Sequence, residues 1–159
     1  MNRAVYIGNF DPVTLGHMDI IHRASGLVEE KLIVGIWDTP GKKFLLTLEE
    51  RGRLLKAALA GFMNVEVQVC NIGPVYFAKV NQAQAIVRGV RNIADFEYEC
   101  HMAQTNRELE PGIETIFFSA DLKYSFLNSG TVRELAFYKK DISVFVPRPV
   151  ADSFNKTVN

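Results

Sequence analysis

The sequence predicts a doubly wound α/β fold, in which helices cover both faces of a parallel sheet. Its 159 residues correspond to one domain, taking roughly 150 residues per domain as a guide. Five short β-rich segments alternate with longer amphipathic stretches, and connections of that length join parallel strands. Right-handed connections make the doubly wound arrangement the simplest solution. We therefore expect a single domain spanning residues 1–159.

The predicted elements alternate regularly along the chain. Strands are expected at residues 3–8, 31–37, 65–70, 85–87 and 113–118. Strict alternation in the third strand indicates one wet face, as at a sheet edge. Helices are expected at residues 17–28, 47–59, 75–82, 94–109, 131–137 and 147–154.

Capping signals and apolar spacing support three of these helices. Thr47 followed by Glu50 is a capping box, and Thr131 followed by Glu134 offers a second one. In the first helix one face carries the apolar residues Ile20, Ile21, Ala24 and Leu27.

Composition argues against several functional classes. Eighteen basic and eighteen acidic residues give a formal net charge of zero, whereas proteins held to nucleic acid by bulk electrostatics carry a basic excess. No apolar run approaches the roughly 18 residues that span a bilayer, and the N-terminus lacks the apolar core of a signal peptide. Cys70 and Cys100 show no metal-binding spacing. We expect buried thiols, a cytoplasmic location, and neither nucleic-acid nor membrane partners.

The loop after the first strand is the main candidate for chemistry. In such sheets ligands bind beyond the carboxyl ends of the strands. Residues 8–17 read GNFDPVTLGH and deliver His17 into the first turn of a helix, where unpaired N–H groups and the helix dipole attract anions. A protonated or hydrogen-bond-donating histidine there can face a phosphate. The loop is neither a Walker loop nor a GxGxxG fingerprint, and Gly-His alone is typical of a turn with a capping histidine.

Several segments together resemble a known family over essentially the whole chain. The loop is similar to the (H/T)xGH signature of a nucleotidyltransferase superfamily. It is followed in order by PGKK, TLEER, RGVR, ADFEYE and YSFLNSG, at residues 40–43, 47–51, 88–91, 94–99 and 124–130. This set resembles bacterial phosphopantetheine adenylyltransferases, enzymes of coenzyme A synthesis. The resemblance implies a sheet of order 3-2-1-4-5, a homohexamer and coenzyme A as a feedback ligand.

The implied reaction joins the phosphate of 4′-phosphopantetheine to AMP from ATP and releases pyrophosphate. A phosphate oxygen needs no strong base, so the site must align two anions and stabilise charge. The resemblance assigns catalytic roles to His17, Lys42 and Arg91, with His17 stabilising the transition state. Mg²⁺ is expected to arrive with ATP, and no ligand set for it is visible in the sequence.

The resemblance also implies two sets of binding residues. Those expected to bind ATP are Asn9, Phe10, His17, Gly89, Val90, Arg91, Glu99, Tyr124, Ser125, Phe126, Leu127, Asn128, Ser129 and Gly130. Those expected to bind phosphopantetheine are Asn9, Lys42, Pro74 and Arg88. From the residues alone, Arg88 and Arg91 have an alternative role as ion-pair partners of Asp95, Glu97 or Glu99.

The chain departs from the family pattern at four places. Asn9 stands where the family has Thr or Ser, and Ile7 replaces a usual proline. Asn128-Ser129-Gly130 stands where three serines are usual, and Gly73-Pro74 is unusual near the pantetheine arm. The leading hypothesis is a working adenylyltransferase. The alternatives are a transferase of the same superfamily acting on another small substrate, and a weakened copy that binds nucleotide or coenzyme A.

Overall fold

The computed structural model describes residues 1–157, with side chains described through residue 155. Five parallel strands form one sheet of order β3-β2-β1-β4-β5, which confirms the predicted order. The strands are β1 Arg3–Gly8, β2 Lys31–Trp37, β3 Val65–Cys70, β4 Ala85–Val90 and β5 Glu114–Ser119. The helices are α1 Leu15–Ser25, α2 Leu48–Ala58, α3 Pro74–Val80, α4 Ile93–Leu109, α5 Ser129–Phe137 and α6 Arg148–Thr157.

Alternation along the central strands sends side chains to two separate cores. Ala4 and Tyr6 of β1 pack in the larger cluster, with residues of α1, α2, α5 and α6. Val5 and Ile7 face the opposite way and pack with Phe77 of α3. This is the side-chain period of two that a pleated strand requires. The sheet is therefore covered on both faces, as a doubly wound fold demands.

Several element boundaries differ from the sequence prediction. Helix α1 begins at Leu15 because Thr14 caps it, and it ends at Ser25 with Gly26 as C-cap. Leu27 consequently lies beyond the helix and is 52% exposed, whereas Val28 is buried. The prediction that Leu27 belongs to the apolar face of α1 is wrong, because the helix stops before it.

The predicted capping box at Thr131 is also wrong. Helix α5 begins at Ser129, and Asn128 is its N-cap because the side chain accepts a hydrogen bond from Thr131 N. Asn is as good a capping residue as Thr and stands three positions earlier. A short 3-10 helix, Leu122–Tyr124, precedes it and was not predicted.

Strand β4 is longer than predicted, and its last residues pair with β5 but not with β1. It pairs with β5 as far as Val90, opposite Ser119, but with β1 only as far as Val87, opposite Tyr6. Strand β1 meanwhile stays paired with β2 as far as Gly8. Arg88 therefore lies inside β4 rather than at its end. Beyond Tyr6 the strands β1 and β4 separate, which leaves a crevice where the strand order reverses.

Candidate active site

The crevice between β1 and β4 opens into a cavity of about 590 Å³ at the carboxyl ends of the strands. It brings together the catalytic candidates His17, Lys42 and Arg91, which are separated by up to 74 positions in the chain. Its walls include most of the other residues predicted to bind ligand, which are Asn9, Phe10, Pro74, Arg88, Gly89, Glu99, Tyr124, Leu127, Asn128, Ser129 and Gly130. Val90, Ser125 and Phe126 lie outside these walls, and Phe126 is 63% exposed.

His17 is held by the residue that caps its own helix. Thr14 N donates to His17 Nδ1 over 3.0 Å, while the Thr14 hydroxyl accepts from His17 N. A ring nitrogen that accepts from a backbone N–H carries no proton, so the neutral ring has its proton on Nε2. Burial, helped by the charge of Arg91, lowers the pKa of His17 to about 4. His17 is thus a neutral hydrogen-bond donor at pH 7.

Two aromatic rings support His17 from below. The Phe10 ring meets the imidazole edge to face at 5.1 Å between centroids, and Tyr6 meets Phe10 at 5.6 Å. Phe10 is 2% exposed, so its ring belongs to the core beneath the cavity. A Cβ on Gly8 would stand 3.1 Å from Phe10 Cζ, which is why this position accepts only glycine without a shift of the ring.

Arg88 crosses the gap between the diverging strands. Its Nη1 donates to the carbonyl of Ile7 over 2.9 Å, and its Nε donates to Glu99 over 2.7 Å. Glu99 also accepts from Arg88 Nη2. Burial alone would lower the pKa of Arg88, but the hydrogen bonds and charge of Glu99 outweigh it and raise the pKa. Two of the five guanidinium N–H groups remain for a ligand.

Arg91 is held less tightly than Arg88. Its Nε donates to Asp95 over 2.8 Å, but its Nη2 reaches Asp95 at 3.3 Å and its Nη1 reaches the carbonyl of Leu127 at 3.4 Å. Hydrogen bonds this long are weak, so an anion can replace them at little cost. Of the ion-pair partners considered from sequence, the structure pairs Arg88 with Glu99 and Arg91 with Asp95.

Lys42 enters the cavity from the loop after β2. Its ammonium group donates to Asn9 Oδ1 over 2.7 Å. Partial burial, together with the charge of Arg133, lowers the pKa of Lys42, although Asp11 opposes this. Lys43 does not line the cavity.

The segment before α5 closes the far side. Ser129 Oγ donates to the carbonyl of Pro12 over 2.9 Å, so this hydroxyl joins α5 to the loop after β1. Asn128 caps the helix. On the other side, Gly73 adopts a φ of 82° as N-cap of α3 and places Pro74 at the first helical position, where the lack of an N–H costs nothing.

Sequence reasoning missed a buried carboxylate that organises the loop. Asp11 is 1% exposed, and its two oxygens each accept at 2.9 Å from the backbone N–H groups of Leu45 and Leu46. Arg133 donates to the Asp11 carbonyl over 2.7 Å and lines the cavity as a further cation. A signal for Arg133 was its place three residues after the predicted binding loop 124–130, in the first turn of the helix predicted at residues 131–137.

Arg51 was also missed. It is 1% exposed, donates to the carbonyl of Asn9 over 2.9 Å and pairs with Asp38. Its guanidinium carbon stands 4.3 Å from the centre of the Phe44 ring, a cation–π arrangement. This one side chain joins α2 to the loops after β1 and β2, and no local sequence pattern reveals such a contact.

The remaining histidines and both cysteines lie outside the cavity walls. His22 and His101 are exposed on helices, as predicted. Both cysteines are free thiols. Cys70 is buried, as predicted, whereas Cys100 is partly exposed, so the prediction of a buried thiol is wrong at that position. Over residues 1–157, the structure has no helix long and apolar enough to cross a membrane. In the same part of the chain, no group of three or more His, Cys, Asp or Glu side chains is arranged to hold a metal ion.

Comparison with known proteins gives consistent matches. Residues 5–135 match the family model described as cytidylyltransferase-like. The chain is 43% identical over 150 residues to the phosphopantetheine adenylyltransferase of Lachnoclostridium phytofermentans, and 44% identical over 150 residues to that of Clostridium kluyveri. Both alignments cover 94% of this chain and 91% of the relative. With the enzyme of Shouchella clausii the identity is 42% over 156 residues, 98% of each chain.

Solved structures share the fold at low sequence identity. A putative nicotinate-nucleotide adenylyltransferase from Vibrio parahaemolyticus superimposes with a TM-score of 0.71 at 18% identity, covering 98% of this chain and 99% of that one. The nicotinic acid mononucleotide adenylyltransferase of Plasmodium falciparum, complexed with NaAD, gives a TM-score of 0.69 at 15% identity, with 99% and 96% coverage. These likenesses support the doubly wound fold.

Proposed function

Because this chain belongs to the phosphopantetheine adenylyltransferase family, we propose that it transfers the adenylyl group of ATP to 4′-phosphopantetheine, giving dephospho-coenzyme A and pyrophosphate. Family membership makes it an enzyme, a nucleotidyltransferase of coenzyme A biosynthesis.

One observation carries this proposal: four cations and one neutral imidazole line a single cavity in a chain of zero net charge. Lys42, Arg88, Arg91 and Arg133 stand around His17. The two acids of the same walls, Asp11 and Glu99, pair with Arg133 and Arg88, so the four cations exceed the acids by two. Such a site suits two phosphate compounds whose negative charges must be brought together. A bulk polyanion would require a basic surface instead.

In the proposed reaction, a phosphate oxygen of phosphopantetheine attacks the α-phosphorus of ATP and displaces pyrophosphate. Negative charge builds up on the α-phosphate and on the leaving group, so fixed donors aimed at them lower the barrier. His17 Nε2–H is such a donor. Because the ring is already neutral at pH 7, it can donate this hydrogen bond without first losing a proton. Lys42 and Arg88 align the attacking phosphate, and Arg91 holds the phosphates of ATP.

Mg²⁺ enters this proposal with ATP. Since the described residues 1–157 hold no cluster of His, Cys, Asp or Glu suited to a metal, the ion would be bound mainly by the phosphates. When bound it neutralises phosphate charge. A homohexamer and feedback by coenzyme A belong to the same proposal and come from the family resemblance, whereas a cytoplasmic location is expected from the composition.

The proposal is tested by pyrophosphate release with ATP, Mg²⁺ and 4′-phosphopantetheine. We expect release well above the rate without phosphopantetheine, and a loss in kcat of about 100-fold or more in His17→Ala, because one transition-state donor is removed. Nicotinate mononucleotide and a cytidine nucleotide are assayed in parallel as competing substrates. Release no faster than background with phosphopantetheine would reject the proposal, and full activity in His17→Ala would reject the role of this residue.

A further inference from the structure

Asn9 occupies an unusual position between the two loops that frame the cavity. Its amide nitrogen donates to the carbonyl of Trp37 over 2.6 Å and to Thr39 Oγ1 over 2.9 Å. Its amide oxygen accepts from the ammonium group of Lys42 over 2.7 Å. The side chain thus connects the loop after β1 to the last residue of β2 and to two residues of the loop that follows β2.

The orientation of this amide follows from the chemistry of its partners. A backbone carbonyl can only accept a hydrogen bond, so the NH₂ group must face Trp37. An ammonium group can only donate, so the amide oxygen must face Lys42. Both N–H groups of Asn9 are used by Trp37 and Thr39, which leaves none for a bound phosphate.

Lys42 closes a turn that Asn9 joins at both ends. Lys42 N donates to the carbonyl of Thr39 over 3.1 Å, and Gly41 has a φ of 78°. Pro40 followed by Gly41 is the combination that a type II turn favours. Asn9 therefore contacts the side chain of the first residue of this turn and that of the last.

Asn9 is itself firmly placed. Its carbonyl accepts from Arg51 Nη1 over 2.9 Å, and Arg51 is 1% exposed. A lysine carries four rotatable side-chain bonds and loses considerable entropy when it is ordered. A fixed acceptor at 2.7 Å removes much of that freedom before the ligand arrives, which lowers the cost of binding.

We propose that Asn9 is a positioning residue, which anchors the ammonium group of Lys42 at the phosphate subsite and makes no direct bond to the transferred phosphate. This inference rests on the proposed function for its substrate. It assigns Asn9 a role other than the one expected from a hydroxyl residue at this position. Asn9 acts by holding Lys42, so a substitution of Asn9 should change phosphopantetheine binding only in a protein that retains Lys42.

A double-mutant cycle with Asn9→Ala and Lys42→Ala tests this coupling. Phosphopantetheine affinity is measured by calorimetry and its KM by pyrophosphate release. We expect Asn9→Ala to raise both the dissociation constant and the KM for phosphopantetheine by about 10-fold, the scale of one hydrogen bond to a charged group. The KM for ATP should stay within about twofold of its wild-type value. In the Lys42→Ala background the same change should have no further effect. Losses that multiply would overturn the proposal, because Asn9 would then contact the ligand itself.

Two controls complete the cycle. Lys43→Ala should leave the KM for phosphopantetheine unchanged, because Lys43 does not line the cavity. Asn9→Thr should behave like Asn9→Ala, because its hydroxyl cannot reach from the Trp37 carbonyl to the Lys42 ammonium group. A gain in turnover in Asn9→Thr would overturn the proposal by showing that the amide hinders the reaction.

A measurement without ligand separates this inference from the proposed function. Acylation of Lys42 by acetic anhydride, followed by mass spectrometry with Lys43 as the internal reference, should be several-fold faster in Asn9→Ala. The hydrogen bond to Asn9 Oδ1 is made by the charged ammonium form, which is not nucleophilic, and it holds the group in place. Equal rates would overturn the inference even if the enzyme is active. Faster acylation in a protein that does not bind phosphopantetheine would reject the proposed function and leave the anchoring of Lys42 supported.

Discussion

At the scale of single residues, the site is built from side chains that are held by one another before any ligand is present. Thr14 fixes the tautomer of His17, Glu99 holds Arg88, and Asn9 holds Lys42. Preorganised donors stabilise developing charge without a cost of reorganisation during the reaction. The chemistry of each residue type was visible in the sequence, whereas its partner was not.

The lowered pKa of His17 predicts a stability that depends on pH. The ordinary value is 6.5 and the folded value is about 4, so the unfolded chain takes up the proton first as the pH falls. The stability that neutral His17 contributes to the folded state is fully present above pH 6.5 and is lost as the pH falls towards 4. The loss amounts to at most about 3 kcal/mol in the free energy of unfolding.

His17→Gln is the matched variant for this measurement. Gln at this position keeps a capping box with Thr14 but does not titrate. Urea unfolding at pH 7 and at pH 4.5 should show a greater loss of stability in the wild type than in His17→Gln. An equal loss in both proteins would mean that His17 does not titrate as inferred.

At the scale of secondary-structure elements, helix ends decide where the ligand-facing groups lie. Thr14, Thr47 and Asn128 are N-caps of α1, α2 and α5. Two of these helices begin directly beside the cavity. The capping box at Thr47 was predicted because Glu50 completes the usual pattern. The cap of α1 was missed because a histidine takes the place of that acid.

Asn128 and Thr131 provide a test of the observed start of α5. Asn128→Ala removes the side chain that accepts from Thr131 N and should lower the free energy of unfolding by about 1 kcal/mol. Thr131→Ala removes only an exposed hydroxyl that accepts from Asn128 Nδ2 and should cost less. Thermal unfolding of both variants compares the two losses of stability. A larger loss of stability in Thr131→Ala than in Asn128→Ala would support the capping box predicted from sequence.

At the scale of the whole molecule, the fold depends on close packing between the sheet and the helices on its faces. Gly35 lies on β2 against α3, and a Cβ there would stand 2.9 Å from Phe77 Cε1 and 3.2 Å from Ile7 Cγ1. Neither neighbour can move freely, because both are buried. Close approach of α3 to the sheet therefore depends on the absence of a side chain at Gly35.

Gly35→Ala should consequently destabilise the protein by about 1–3 kcal/mol through overpacking. Gly61→Ala is the matched control, because a Cβ there meets nothing within 4 Å. Urea unfolding of the two variants should show a clear loss for Gly35→Ala and little change for Gly61→Ala. Equal stabilities would show that α3 shifts without cost.

Most of the architecture could be predicted from the sequence, since it depends on local regularities. Apolar periodicity, capping and turn signals indicated the five strands and six helices found in residues 1–157, and the motif loops indicated an anion site at one edge of the sheet. Boundaries were less certain where two capping residues competed, as at Asn128 and Thr131, or where a strand continued past a glycine, as at Gly89. In each case neighbouring segments, which a local pattern does not contain, decided the outcome.

The sequence by itself determined the fold class, the zero net charge and the basic residues that stand near His17. Only the tertiary structure decided how those cations are held. Arg51, Arg133 and Asp11 act through contacts between segments 34 to 122 positions apart, and the position of Asn9 depends on where β2 ends. Long-range contacts follow from the packing of helices on a sheet whose central strands diverge, and this packing is a property of the folded chain as a whole.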